Sequence, residues 1–149
     1  MVLEISIAIM QTFLPHSNFS ESAKVLDMRR LGKQRVESYQ ILNCLTIKES
    51  KWKNHPAVLM WKKSKWWLSL YSIEICSEWI GRGYKDSLLT HFVSYCENNE
   101  IDEIPFWLGD ERLHSSHRSN LLRKDFNFYS KFNWIEENNL EYFWPVRKK

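Results

Sequence analysis

Turn-forming residues are scarce: four Gly and four Pro in 149 residues are too few for a turn-dense β-sandwich, a collagenous chain or a linker. Long apolar runs are missing too. Lys or Glu interrupts every stretch before the ~20 residues that a membrane-crossing helix needs, so no membrane partner is expected. Cys44, Cys76 and Cys96 are odd in number, widely spaced and without a Cys-x-x-Cys pair, which excludes a complete disulfide frame and a zinc knuckle and implies reduced, packed thiols. A Gly-rich phosphate loop and a nucleophile elbow are both absent, closing those routes to nucleotide hydrolysis. Residues Met1 to Ile9 are apolar but carry Glu4, no basic lead and no Ala-x-Ala site. The expectation is therefore no signal peptide, and a cytoplasmic setting, or a nuclear one in a eukaryote.

What is present favours helix. Hydrophobic residues make up 44% of the chain, charged residues 26% and aromatics 15%, with eight Trp; that balance buries one core and fits a single domain. Between Ser22 and Ile73 eleven Lys or Arg face three acids, a net of +8 within an overall +3. From Glu97 to Glu111 there are six acids and no base. Such asymmetry suits orientation on a polyanion, and it equally fits ordinary solvated helix surfaces.

The pattern predicts an all-α fold: one compact domain of about four helices with irregular connections and a long buried central helix. Gln11 to Phe19 reads as an extended lead docked on the domain. A first helix is expected from about Ser20 to Leu45. A second opens at Pro56 and runs to Gly81 and Gly83; its apolar residues, from Val58 to Ile80, surround most of the circumference, which makes it the central helix. A third spans Asp86 to Cys96 and a fourth about Asp110 to Phe132. Residues 1–9 are expected to be an extension or a non-native start, ahead of one domain over 10–149.

On the first helix Arg30, Lys33 and Glu37 follow i, i+3, i+7 spacing and share one stripe beside Leu26 and Ile41. A carboxylate there meets partial desolvation and two cations, the surroundings of an acid or base; the plainer alternative is a surface Lys/Glu pair. His55, before Pro56, can donate to a phosphate or cap its helix. His114 and His117 stand i, i+3 without a further ligand set, so no metal and no cofactor are expected. The row His117, Arg118, Arg123 and Lys124 fits a phosphate-facing basic helix better, and Arg82 in the Gly-Arg-Gly-Tyr turn can hold another phosphate. Among the tryptophans, Trp61 stands among lysines as the candidate for base stacking.

The string Leu26-Asp-x-x-Arg-Leu-x-Lys-x-Arg-Val-Glu37, then Asn54-His55-Pro56 opening an aromatic helix, then Glu78-Trp-Ile-Gly-Arg-Gly-Tyr84, resembles the pyrimidine-dimer DNA glycosylase (endonuclease V) family. The likeness is strongest to a bacterial branch opening Met-Gln-Thr-Phe-Leu-Pro, and it runs from Met10 to about Phe132. It implies a DNA repair glycosylase with possible abasic-site lyase activity, acting as a monomer on a damaged pyrimidine in double-stranded DNA. By position, Glu37 falls on the family's catalytic glutamate, His55 on its histidine before the central helix, and Arg30 on a DNA-facing histidine. Val36 and Gln40 stand where the family has arginines, with Arg35 as a substitute. The family's nucleophile is the free α-amine of the mature chain, whose equivalent lead begins here at Met10; Lys33 is the alternative amine, and water activated by Glu37 a third route. Phosphate anchors are expected from Arg29, Arg30, Arg35, Lys62, Lys63, Arg118 and Lys124. A non-catalytic nucleic-acid-binding module and an enzyme of free modified nucleosides are the rival readings.

Overall fold

The computed structural model describes residues 10–47 and 50–146; the expected extension over 1–9 lies outside them. Among the described residues the regular structure is entirely helical: α1 (Phe19–Val25), α2 (Met28–Thr46), α3 (Pro56–Leu59), α4 (Lys65–Gly81), α5 (Leu89–Asn98), α6 (Glu111–Lys124), α7 (Phe126–Tyr129) and a closing 3-10 turn, Ser130–Phe132. No helix among them is long and apolar enough to cross a membrane. Four long helices carry the fold, as expected, and each of the expected four helices is interrupted or shifted.

The expected first helix is two. Asn18 caps α1, its Oδ1 accepting from Glu21 N–H at 2.9 Å. The chain turns extended at Leu26 and Asp27. Asp27 caps α2 with its side chain while its own N–H donates to Tyr129 Oη, 3.0 Å away. An amide committed to a residue 102 positions downstream cannot continue the α1 ladder, so the helix restarts.

A second interruption separates α3 from α4. Ser64 is buried, its Oγ donating to the Glu103 carbonyl at 2.6 Å, and the chain from Met60 to Ser64 runs in turns. The expected third helix starts three residues late because Asp86 Oδ2 accepts from Leu88 N–H and Leu89 N–H from outside it. The expected fourth breaks at Asp125, which caps α7 by accepting from Phe128 N–H.

Helix α4 is central, packing against α1, α2 and α5. Leu68, Tyr71, Ile75 and Cys76 are fully buried, Trp67 and Trp79 pack against the core from its edge, and Trp66 is half-buried beside Trp67. The two neighbouring indoles donate to carbonyls of the acidic connection, Trp66 to Cys96 and Trp67 to Asp102. All three cysteines are free thiols, and burial pushes Cys76 up to about 12. The approach of α2 to α4 depends on Gly32: a Cβ there would stand 2.8 Å from the Trp79 ring.

Candidate active site

Helix α2 turns Leu31, Gln34, Glu37, Ser38, Ile41 and Leu42 inward. Two of those positions carry polar side chains that reach the extended lead. Residues Met10 to Pro15 are buried from end to end without belonging to a helix or a sheet, so their amides and carbonyls must be satisfied by side chains. Gln34 bridges the lead, its Oε1 accepting from Phe13 N–H at 2.8 Å and its Nε2 donating to Gln11 C=O at 2.8 Å. Tyr71 Oη donates to Phe13 C=O at 2.6 Å. Leu14 N–H donates to His117 Nδ1 and Leu14 C=O accepts from His114 Nδ1, each at 2.8 Å. Arg118 Nη1 closes the series on Pro15 C=O at 2.7 Å.

The lead ends beside Glu37. Met10, Gln11 and Phe13 line a cavity of about 670 Å³ together with Asp27, Arg29, Arg30, Lys33, Glu37, Lys124, Asp125, Tyr142 and Trp144. Glu37 is 5% exposed. Burial is the main influence on its carboxyl and raises it from 4.5 to about 7, against the opposing pull of Lys33 and of the Gln11 backbone. Lys33 Nζ stands 3.6 Å from Glu37 Oε1. Arg30 Nη1 is 3.2 Å from Asp27 Oδ1, which orients the guanidinium at the rim. Lys124 lies below the usual lysine range through desolvation first, then the repulsion of Arg30, Arg123 and Lys33. The surface-pair alternative for Glu37 therefore fails: the carboxylate is buried, faces a cavity and is flanked by more positive groups than it can neutralise.

The structure brings together Glu37, Met10, Lys33, Arg29, Arg30 and Lys124, and sends the other expected residues elsewhere. Trp61 is 0% exposed, donating from Nε1 to Thr12 Oγ1 and packed edge-on to Trp107, so neither face can receive a base. Arg35 does not replace the missing arginines. It pairs with Asp86 and lies over the Trp79 ring, its Cζ 4.6 Å from the centroid. Arg82 is tied to Glu78 and to the carbonyls of Ala23 and Lys24, fastening α4 to the end of α1.

The expected basic row on α6 divides. His117 is buried and faces the lead, burial pushing it down to about 3, a neutral ring suited to accepting from Leu14. Arg118 is paired with Glu136 and Glu111. Arg123 donates to the carbonyls of Asn138 and Leu140. Only Lys124 of that row lines the cavity. Lys62 and Lys63 are exposed at a separate apolar depression of about 420 Å³ with Leu59 and Phe106. His55 caps α3, its Nδ1 accepting from Ala57 N–H, and meets Trp144 edge-on, one ring removed from the cavity. Among the described residues no group of three or more His, Cys, Asp and Glu is gathered as a metal site.

Comparison with known proteins decides the family. The model of the family described as pyrimidine dimer DNA glycosylase matches residues 10–91, more than half of the chain. The chain belongs to that family. No curated protein and no solved structure matches it. The pyrimidine dimer DNA glycosylase match begins at the lead and takes in α2, so it contains Met10, Lys33 and Glu37. It ends before α6, leaving Lys124 and the histidines that hold the lead beyond it.

Sequence reasoning missed Tyr142 and Trp144, the aromatic wall of the cavity. Burial raises Tyr142 to about 12 even with Arg123 and Arg30 nearby. It also missed Gln34, for which a signal existed: an uncharged polar residue at an inward position of α2 needs a buried partner.

Proposed function

We propose that this chain is a DNA N-glycosylase that excises a damaged or modified pyrimidine, pyrimidine dimers included, with Glu37 as the catalytic carboxylate. The carrying observation is a buried acid raised to about 7 in a cavity rimmed by Arg29, Arg30, Lys33 and Lys124. Breaking the bond between the sugar C1′ and the base leaves positive charge on the sugar ring and sends the electron pair out with the base. A carboxylate aimed at the ring stabilises that charge, and a group titrating near neutrality also exchanges protons with water or an amine at working pH. The rim cations serve the flanking phosphates. A cavity of this size admits an extruded nucleotide, and extrusion is easiest where a lesion has already weakened stacking.

Lyase activity requires an amine. An α-amine titrates near ~7.7–8.0 against ~10.4 for Lys, so more of it is neutral at physiological pH. A polypeptide starting at Met10 carries that amine beside Glu37. Its attack forms a C1′–N bond as the base departs; loss of a proton and ring opening give an imine, and β-elimination then breaks the 3′ C–O bond. Lys33 is the alternative amine, and water activated by Glu37 gives base release alone.

Borohydride trapping of the polypeptide starting at Met10 on duplex DNA containing an abasic site, followed by peptide mapping of the adduct, separates these routes. The expected adduct lies on the Met10 α-amine. An adduct on Lys33 moves the nucleophile, and base release without an adduct selects the water route. Salt-sensitive DNA binding with neither product rejects catalysis and leaves a binding module.

A further inference from the structure

The lead is held far more completely than a connecting segment needs. Its Gln11, Phe13, Leu14 and Pro15 carbonyls each accept from a side chain, namely Gln34, Tyr71, His114 and Arg118. The Thr12, Phe13 and Leu14 amides donate to side-chain acceptors on Gln11, Gln34 and His117. Met10 and Gln11 line the same cavity as Glu37, and the Gln11 backbone favours the ionised carboxylate. The two histidines are fixed as complementary tautomers. Gly109 N–H donates to His114 Nε2 at 3.0 Å, leaving His114 Nδ1 as the donor to Leu14 C=O. His117 Nδ1 accepts from Leu14 N–H and so carries its proton on Nε2. One residue, Leu14, is thus gripped through both its amide and its carbonyl by one turn of α6. The His-x-x-His-Arg run that reads as a metal or phosphate motif is a clamp on backbone.

Burying an extended segment without a ladder partner is costly, because each amide and carbonyl needs its own donor or acceptor. This chain commits side chains from α2, α4 and α6 to four residues of a lead whose far end enters the cavity at Glu37. Resting on the reading of Glu37 as catalytic, we propose that Gln34, Tyr71, His114 and His117 are positioning residues, which fix the lead so that the Met10–Gln11 end holds the Glu37 carboxylate in its reactive orientation. They touch neither DNA nor the reacting atoms. Their effect reaches the reaction through the lead, where displacement by about 1 Å can cost on the order of 100-fold in rate.

The test uses the full chain and a duplex carrying a single thymine dimer, reading the single-turnover rate, the half-saturating protein concentration and the pH profile. Tyr71→Phe keeps the ring and deletes only the hydroxyl that donates to Phe13. His117→Phe removes the acceptor for Leu14, and His117→Asn supplies a new one. The expected result is a rate lowered about 10- to 100-fold in Tyr71→Phe and His117→Phe, with half-saturation unchanged and the pH profile moved to the alkaline side as the Gln11 backbone leaves Glu37. Restoration toward the native rate is expected in His117→Asn. Native rates and profiles in both disruptive variants overturn the proposal, as does a rate loss that only parallels loss of folded protein. Should His117→Phe fail to fold, Tyr71→Phe decides alone. A native chain that releases no base defeats the glycosylase reading itself, and this inference with it; an active native chain with indifferent variants defeats this inference only.

Discussion

Lys33 Nζ stands 3.6 Å from Glu37 Oε1 one turn along α2, with the lysine side chain 51% exposed and the carboxylate 7%. The pair is unequal: the lysine keeps much of its hydration while the acid has lost most of its own. Burial sets the Glu37 carboxyl and Lys33 moderates it. Lys33→Met is therefore expected to raise Glu37 above about 7 and move the pH profile of base release to higher pH. A pH profile identical to that of the native protein would show that the ammonium does not act on the carboxylate.

Glu37 also lowers stability. Its folded value near 7 exceeds the unfolded 4.5, so the folded state holds the extra proton between these limits and stability falls as pH rises through them. Above the upper limit the deficit is about 3 kcal/mol. Glu37→Gln should recover up to that amount at pH 8, seen as a higher urea midpoint at unchanged slope, while losing base release. The same substitution leaving the midpoint unmoved would place the carboxylate in solvent.

The histidines act in the opposite direction. His117 is pushed down to about 3 from 6.5, so its contribution is intact above 6.5 and is lost as pH falls toward the folded value, because the unfolded chain takes up the proton first. At pH 4.5 this amounts to about 3 kcal/mol, close to what protonation of Glu37 returns over the same range. The native protein should thus show a flatter stability profile than Glu37→Gln between pH 7 and 4.5. Urea midpoints at both limits for the two proteins check this; parallel profiles would remove the offset.

The cations separate into two groups that behave differently on DNA. Arg30→Gln and Lys124→Gln, at the cavity rim, are each expected to weaken duplex binding and reduce the salt slope by about 1. Arg118→Gln should leave the salt slope unchanged and lower stability, since it strands Glu136, buried and already carrying one unpartnered oxygen. Titrations at several salt concentrations distinguish the groups. Equal slopes for all three variants would contradict the partition.

Local spacing was enough to read the Arg30, Lys33 and Glu37 stripe and the central helix, because a helix carries its periodicity in consecutive residues. The interruptions were hidden because distant partners cause them: Asp27 N–H leaves the α1 ladder for Tyr129 Oη, and Ser64 Oγ reaches Glu103. Formal charge misled for the same reason. Arg35 and Arg118 counted as free cations until the fold supplied Asp86 and Glu136. Nothing in the local sequence marks Gly32, yet it is where Trp79 crosses α2. Gly32→Ala should cost about 1–3 kcal/mol through displacement of that ring, measurable by urea unfolding.

The most direct test is single-turnover excision from a duplex bearing one thymine dimer, comparing the native chain with Glu37→Gln over pH 5–9. The expected result is base release by the native chain with an inflection near 7, and a loss of at least about 100-fold in the variant at unchanged DNA affinity. Equal excision by the two proteins would contradict the assignment of Glu37 as the catalytic group.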